Sequence, residues 1–566
     1  MNQLDRRQFV TASAAVAAGT ALAGTAAFAD EAAAKIELPV DLTPADIAGS
    51  CVELEPITEF AEEATYDIVV VGAGCAGVPA VLTAVEEGAS VACLQKQEIA
   101  MANGYGASCV VKEYSTPSGM QRWMQDWREA NSDRIRRDLF QHHFDHSAET
   151  VSWVMQRAIQ YGYEDITYKT SGSVVYEDGD VCAVAEISAS LSNQVMLNVL
   201  AEAAEAQGAV FYYSTPAVQL VQDADKTVTA VIGKRADGTY IKVNATKGVI
   251  LCAGDYMNND GLMDHYSRDM CGKFHALTVE RTGDGHILGI LAGARMAPPC
   301  HAKSVHGVIP WFFKTPLLIL DPQGERFMNE ETKFTAWNSP LAEHYPKGEE
   351  CVIYRIFDSE YDQKYTDPSM QPVIPHAMLD SCIDNDQPTS IYDFHKAFHR
   401  ADTLEELCAE VGLPYEAAKK SIDRYNELVE QGHDDDFGVE SWKLYKIETA
   451  PFYCIRDIPG IADINGGFTV DSNYQAVDSD GNVIPHLYGA GVDADNVCGG
   501  INWTMPGGFS NSHCFAGGRY TVLHALGKAE PTNPCTFAQV EDYFRDANGA
   551  FAWDDPETAI HAIDLW

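Results

Sequence analysis

Asp67-Ile68-Val69-Val70-Val71-Gly72-Ala73-Gly74-Cys75-Ala76-Gly77 is the stretch whose reading decides the fold. Residues 67–71 are a short buried strand bounded by Gly72. Residues 75–87 are helix-like and stop at Gly88, and residues 90–95 read as a second strand. Gly72, Gly74 and Gly77 thus stand between a strand and a helix, the context that gives the Gly-x-Gly-x-x-Gly pattern meaning. Glycines at these spacings allow a tight turn, close approach of backbone to a pyrophosphate, and close helix–strand packing. The helix N-terminus then stabilises the phosphate charge. An acidic residue usually closes the second strand of such a unit and holds the ribose hydroxyls. Here Gln95 stands in that place, followed by Lys96. Gln95 can both donate to and accept from hydroxyls, and Glu98 is the alternative.

The 566 residues are enough for two to four domains at roughly 100–200 residues each. A content of 46% hydrophobic and 21% charged residues suits a globular protein with a sizeable core. No run of about 18 strongly apolar residues marks a transmembrane span. Near the N-terminus, Asp5-Arg6-Arg7-Gln8-Phe9 resembles the twin-arginine export signal. A weakly apolar stretch over residues 10–28 follows, and Ala27-Phe28-Ala29 offers a cleavage site. Residues 1–29 are therefore expected to be a signal peptide. It would direct the chain to the periplasm or the outer face of the cytoplasmic membrane. The formal charge is −43, and −44 once Asp5, Arg6 and Arg7 leave with that segment. Such a chain is repelled by nucleic acid and anionic lipid. The acidity is a solvated surface or a docking face for a basic electron donor. The fifteen cysteines form no Cys-x-x-Cys pair and no haem-attachment motif, so buried structural thiols are expected.

Residues 30–60 are acidic and read as a linker. Residues 134–165 and 186–207 look helical, and residues 209–247 alternate as an antiparallel meander. Residues 248–254 return as a buried strand. Residues 265–445 are richer in aromatics and His, with a capping box at Thr403-Leu404-Glu405-Glu406. Strand-and-Gly texture resumes from 451 to about 526, and 527–566 is a polar tail.

Three further motifs carry chemistry. Thr282-Gly283-Asp284-Gly285 opens a helix-like run to Gly293, and reads as a cofactor-facing turn or as a plain helix cap. Gly324-Glu325-Arg326-Phe327-Met328-Asn329-Glu330 follows the apolar run 316–320. Arg326 and Glu330 form an internal ion pair under a site, or a surface hairpin. Leu487-Tyr488-Gly489-Ala490-Gly491 and Pro506-Gly507-Gly508-Phe509-Ser510-Asn511 read as a strand, a Gly-rich turn and a helix. That turn would present backbone N–H groups to a cofactor carbonyl.

In this order the four motifs resemble the flavoprotein subunit of the fumarate reductase and succinate dehydrogenase family. That family includes 3-ketosteroid dehydrogenases and urocanate-type reductases. The resemblance spans residues 66–526 and includes Pro451-Phe452-Tyr453 and Arg424-Tyr425-Asn426. It implies an α/β fold: a Rossmann-like FAD-binding domain (61–264 and 446–526) with an inserted α+β capping domain (265–445). It implies non-covalent FAD held by Gly72, Gly74, Ala76, Gly77, Gln95, Lys96, Asn103, Ala217, Val218, Ala253, Gly254, Asp284, Gly491, Gly508 and Ser510. It also implies hydride transfer at flavin N5 to or from a carbon–carbon bond, with a proton donor on the opposite face.

The substrate positions depart from the dicarboxylate-reducing members. Their acid arginine is replaced by Phe334 beside Lys333, their His by Asp463 before Gly466-Gly467, and their carboxylate-gripping Arg by Met505. A further substrate His falls at Val305, with His306 adjacent. A buried carboxylate needs a cationic or strongly donating partner. A small dicarboxylate substrate is therefore not expected. Trp311, Phe312, Phe313, Trp337 and Trp503 favour an apolar or aromatic ligand, or are core. Lys333 is the first choice of proton donor, with His301, His306, Glu331 and His513 as alternatives. Lys333, Arg326, His306 and Asp463 make up the expected catalytic set.

These features point to an exported reductase of an activated C=C bond in an enone, cinnamate-like or steroid-like small molecule. Electrons would come from a separate cytochrome or quinol-linked membrane protein. A dehydrogenase running the other way, or reductive cleavage of a benzylic ether, is the alternative. A non-enzymatic flavin carrier would gain nothing from a capping segment.

Overall fold

The computed structural model describes residues 38–169, 173–189, 192–306, 314–332, 336–367, 370, 373–384, 397–494, 497, 507–545 and 549. The expected signal peptide, Lys333, Phe334, Met505, Trp311, Phe312, Phe313 and Trp503 lie outside them.

The strand Glu62–Val71 is the centre of the main sheet. Ile68, Val69 and Val70 are fully buried because parallel partners flank them on both sides, with helices over Ile68 and Val70 and the antiparallel meander in the core on the Val69 side. The order across the sheet is Gln475–Val477, Val483–Gly489, Tyr240–Leu251, Glu62–Val71, Val91–Leu94, Val210–Tyr212. The helix Gly77–Glu86 is the first crossover, buried from Gly77 to Ala84. It packs against the helices Asn193–Ala206 and Phe509–Ala525. The expected meander is formed by Ala217–Gln222, Val228–Lys234 and the first half of Tyr240–Leu251. Its last strand runs straight on into the parallel sheet, so the meander and the buried strand expected at 248–254 share one strand. Residues 186–189, expected as helix, belong to the strand Val184–Ala189, which is paired on both edges; the helix starts only at Asn193.

A second, antiparallel sheet lies in the cap, in the order Leu318–Leu320, Ile353–Asp358, Phe452–Asp457, Phe398–Ala401. The helices Leu404–Val411 and Tyr415–Gln431 cover one face through Leu407, Ile422, Tyr425 and Leu428. Thr403 caps the first of them by accepting from the Glu406 N–H at 3.2 Å. Strand Phe452–Asp457 pairs across its full length with Ile353–Asp358, so the cap sheet reaches past the boundary expected at 445. A third sheet joins His275–Ala276, Gly460–Asn465 and Ala302–His306 between the two.

Residues 30–60 do not act as a bare linker over their described part. The helix Pro44–Ala48 is capped by Asp46, which accepts from the N–H of Thr43 at 2.6 Å and from its hydroxyl at 2.9 Å. Leu42 and Val52 are buried, Cys51 N–H donates to Asp284 at 2.9 Å, and Glu53 N–H donates to the Val218 carbonyl at 3.1 Å. The polar tail is docked as well: Cys535, Phe537 and Val540 are buried, and Thr532 N–H donates to Glu87 at 2.8 Å.

Asn259 joins the arm to the body. Its Nδ2 donates to Asp46 O at 2.8 Å and Thr282 O at 3.0 Å, while Oδ1 caps Gly261 and Leu262. Asn259→Ala removes a helix cap, worth about 1 kcal/mol, and strands buried carbonyls at about 1–3 kcal/mol. The expected outcome is a lower melting temperature with earlier proteolytic release of the arm, read by calorimetry and limited proteolysis.

Candidate active site

The site begins where backbones touch. Gly72 has φ +98°, and a Cβ there would stand 2.4 Å from Cys252 O. A Cβ on Gly77 would stand 1.8 Å from Gly72 O. Gly74 is less constrained, at 3.3 Å from Met101 O. The loop is thus bare backbone at the head of a helix, the form that accepts a pyrophosphate. Gly491, at φ +65°, closes over Ala76, whose Cβ is 3.2 Å from the position a Gly491 Cβ would take. Gly508, at φ +76°, opens the helix Phe509–Ala525 against the backbone of Ala107 and Ser108.

Gln95, expected at the ribose, bonds to the Gly loop and to the segment that follows it. Its Oε1 accepts from Ala73 N–H at 2.9 Å, and its Nε2 donates to Gln97 Oε1 at 2.7 Å and Ile99 O at 3.0 Å. The amide oxygen thus holds the Gly loop while both amide hydrogens hold the 97–99 segment, a task that needs a donor and an acceptor on one side chain. Lys96 and Asp284, both expected to face the cofactor, face each other at 3.0 Å. Lys96 also donates to Thr282 Oγ1 at 2.7 Å, and Asp284 Oδ1 accepts from Cys51 N–H and from Thr282 Oγ1. Ala217 is buried in the meander, and Val218 spends its carbonyl on Glu53. Ala253 and Gly254 end the long central strand, with the Arg281 guanidinium laid against Gly254.

At the Gly loop, Cys75 comes together with Asn103, Ser510 and Asp463. Ser510 donates to Asp463 Oδ2 at 2.8 Å, and Asn465 Nδ2 adds a second bond at 3.1 Å. Asn103 Nδ2 donates to Ala462 O at 3.2 Å, and the Cys75 thiol lies 3.2 Å from Asn511 Oδ1. Asp255 completes this cluster and was not foreseen. Its carboxyl is in hydrogen-bonding contact with that of Asp463, although both are acceptors when ionised. Burial, then the neighbouring Asp255 charge, pushes Asp463 up to about 8. Burial raises Asp255 too, with Arg281 opposing. Nothing in the spacing of 255 and 463 signals this contact; only the folded sheet edge brings them together.

Asp493 is a second residue that sequence reasoning missed. It is fully buried, accepts from Gly254 N–H at 3.0 Å, and its other oxygen lies 3.6 Å from His286 Nδ1. Burial pushes Asp493 up to about 8 and His286 down to about 4.

Of the expected catalytic set, Arg326 and Asp463 have described side chains, and Arg326 is tied into the cap. Its guanidinium holds Glu330 at 2.8 and 2.6 Å and Asp434 at 3.1 and 2.8 Å, between the rings of Tyr425 and Phe437. All of its Nε and Nη contacts go to these two carboxylates, so the internal ion pair is the correct reading. Glu331 is held by Lys443 and by Glu440 N–H at 2.7 Å. Both nitrogens of His301 are engaged, by Tyr256 OH at 2.7 Å and Ala297 O at 3.1 Å. Burial holds His301 and His513 down to about 3, so both are neutral and unsuited as acids. The His306 backbone pairs with Gly460; its side chain, like Lys333, lies outside the described residues. The fourteen described cysteines are all free thiols, most of them buried.

Residues 67–511 match the family described as FAD binding domain, and the chain belongs to that family. It is 26% identical to the vinyl phenol reductase of Lactiplantibacillus plantarum, over 82% of this chain and 97% of that protein. It is 25% identical to the NADH:fumarate oxidoreductase of Klebsiella pneumoniae over 77% of this chain, spanning only 45% of that longer protein. The fold is that of a flavocytochrome c3 fumarate reductase in its open conformation, with a TM-score of 0.64, 22% identity and coverage of 82% of this chain and 79% of that one. The protein is an FAD-dependent oxidoreductase acting on carbon–carbon bonds.

The residues present fit FAD. Gly72 and Gly77 are packed so closely on Cys252 O and Gly72 O that the loop must stay bare backbone at the head of the helix Gly77–Glu86, the form that holds a pyrophosphate. Gly77→Ala forces backbone apart at the loop, an overpacking cost of about 1–3 kcal/mol. Flavin absorbance and fluorescence titration should show a roughly tenfold or larger loss of FAD affinity, with the fold retained by circular dichroism.

Proposed function

We propose that this protein is an exported FAD-dependent reductase of an activated C=C bond in a small molecule that is not a dicarboxylate. Bound FAD, once reduced, supplies the hydride. The substrate class is enone, cinnamate-like, steroid-like or vinyl phenol-like. The observation that carries this reading is the contact between Asp463 and Asp255 at the head of the Phe509–Ala525 helix. Two carboxyl groups in contact hold one proton and one negative charge. Arg281 beside Gly254 offsets that charge, leaving no net positive field to hold a dianion. A ligand hydroxyl or carbonyl, by contrast, finds an acid group to hydrogen-bond. The similarity to a vinyl phenol reductase over nearly that protein's whole length supports a neutral unsaturated substrate.

The test is anaerobic reoxidation of the dithionite-reduced holoenzyme, followed by flavin absorbance. Vinyl phenols, enones and cinnamates are expected to reoxidise it within the mixing series, and fumarate is not. Rapid reoxidation by fumarate alone would overturn the substrate class.

Export by the twin-arginine route is part of the same proposal, resting on Arg6-Arg7 and the apolar stretch behind them. Electrons would then come from a separate cytochrome or quinol-linked protein. Among the described residues no helix is long and apolar enough to cross a membrane. Replacing Arg6 and Arg7 together by Lys should leave the full-length precursor in the cytoplasm, measured by immunoblot of cell fractions; normal export of that variant would refute the route.

A further inference from the structure

We propose that Asp255 and Asp463 act as one acid sharing a single proton, with Asp463 the proton donor to the substrate and Asp255 the positioning carboxylate behind it. This rests on the reductase reading above and names the group that completes the reaction.

Hydrogen bonds from neighbouring groups position both carboxyls. Asp463 is half-buried at the cleft, and its Oδ2 accepts from Ser510 at 2.8 Å and Asn465 at 3.1 Å. Asp255 is 1% exposed, and its Oδ1 accepts from Met257 N–H at 3.0 Å. Its Oδ2 is buried. The Asp255 carboxyl also meets the Ile464 backbone N–H and the Asp463 carboxyl. Two acceptors in contact are stable only with a proton between them. Asp463 is the member placed to deliver it, because it is half-buried while Asp255 is 1% exposed with the Arg281 guanidinium beside the adjoining Gly254. The charged or titratable groups around the pair are Arg281, the Cys75 thiol, Asp493 and Tyr256. Of these Arg281 is the cation, placed to offset the second charge that appears when the proton leaves.

In the reaction the C=C bond accepts a hydride at one carbon and a proton at the other. The hydride brings both electrons. The π pair forms the new C–H bond to the proton, and the Asp463 O–H bond breaks with its pair left on oxygen. Solvent returns the proton to Asp463. A group near 8 is loaded at neutral pH yet weak enough in its acidity to be re-protonated there. The other acids near the sequence motifs are engaged elsewhere: Glu331 by Lys443, His301 and His513 by burial in neutral form.

The experiment uses the FAD-loaded full chain and three variants: Asp463→Asn, Asp255→Asn and Asp255→Glu, matched for flavin content and circular dichroism. With reduced viologen as donor, Asp463→Asn should lose about 10²–10⁴-fold in kcat, with KM little changed. Wild-type kcat should fall as pH rises through about 8, where Asp463 loses its proton. Asp255→Asn removes the neighbouring charge that raises Asp463, so this limb should move to lower pH; Asp255→Glu should restore it in part. A second readout is independent of turnover: of the infrared intensity from protonated carboxylic acids at pH 7, the part that belongs to Asp463 should be lost in Asp463→Asn while that of Asp493 remains. Full kcat in Asp463→Asn, or an unmoved alkaline limb in Asp255→Asn, overturns the pair while substrate reoxidation still supports the reductase. Loss of the Asp463 intensity as expected, with no C=C compound reoxidising the flavin, supports the pair and overturns the reductase reading.

Discussion

Four backbones meet around Ala76, and the rest of the structure depends on that contact. Gly72 lies against Cys252 O, Gly77 against Gly72 O, Gly491 against the Ala76 side chain, and Gly518 against Ala76 O, where a Cβ would stand 2.0 Å away. None of these approaches tolerates a side chain. They draw together the first strand, the end of the central strand, the 491 turn and the last long helix, segments separated by more than four hundred residues of chain. The cofactor cradle is therefore a tertiary object. The Gly-x-Gly-x-x-Gly loop provides one wall, and it is only held open because Gly518 lets the helix Phe509–Ala525 seat on its back.

Around that contact the protein buries ionisable groups in two different ways. Under the rim, Asp493 and His286 are both neutral near pH 7, because burial raises the acid to about 8 and lowers the imidazole to about 4. His286 Nε2–H donates to Gly466 O at 3.2 Å, which leaves Nδ1 as the acceptor facing the acid proton of Asp493. No charge is desolvated there. At the cleft, Asp255 and Asp463 keep one charge, offset by Arg281 and by the Ser510 and Asn465 donors. A buried charge is costly unless paired and hydrogen-bonded. That cost is borne at the place where a proton can be used, and perturbed carboxyls in a cleft are a mark of such places.

How much of this was legible in the sequence follows the distance over which each feature is determined. The strand–turn–helix at 67–86 is local, and so are the Thr403 cap and the meander; each was readable from spacing. Gln95 shows the next level. Its position was legible but its duty was not, because the partners Ala73, Gln97 and Ile99 depend on how the loop folds back. Arg326 was legible as an ion pair with Glu330, four residues on, but its second clamp on Asp434 is 108 residues away. Asp255 carried no local sign at all. In the sequence it follows the Gly that ends a buried strand, and only the third sheet, which carries Asp463 on Gly460–Asn465, gives it a partner. Residues 186–189 read as helix for the same reason: pairing of the strand Val184–Ala189 on both edges overrides the local pattern.

The placement of Asp463 also follows from the cap. Phe452–Asp457 is hydrogen-bonded in the cap sheet, to Ile353–Asp358 on one edge and Phe398–Ala401 on the other. Two residues later the chain enters Gly460–Asn465, which pairs with Ala302–His306 and carries Asp463. With so short a connection, the cap sheet and the acid cannot be positioned independently. Buried Arg355 and Asp457 join the two central cap strands by a salt bridge at 2.5 Å, with Trp337 against the guanidinium, which fixes the end of the strand that feeds the turn. The clamp of Arg326 on Glu330 and Asp434 ties the loop after Leu318–Leu320 to the helical layer in the same body. Asp463 is thereby carried on a paired strand rather than a loop, the arrangement that holds a reacting group in a fixed geometry.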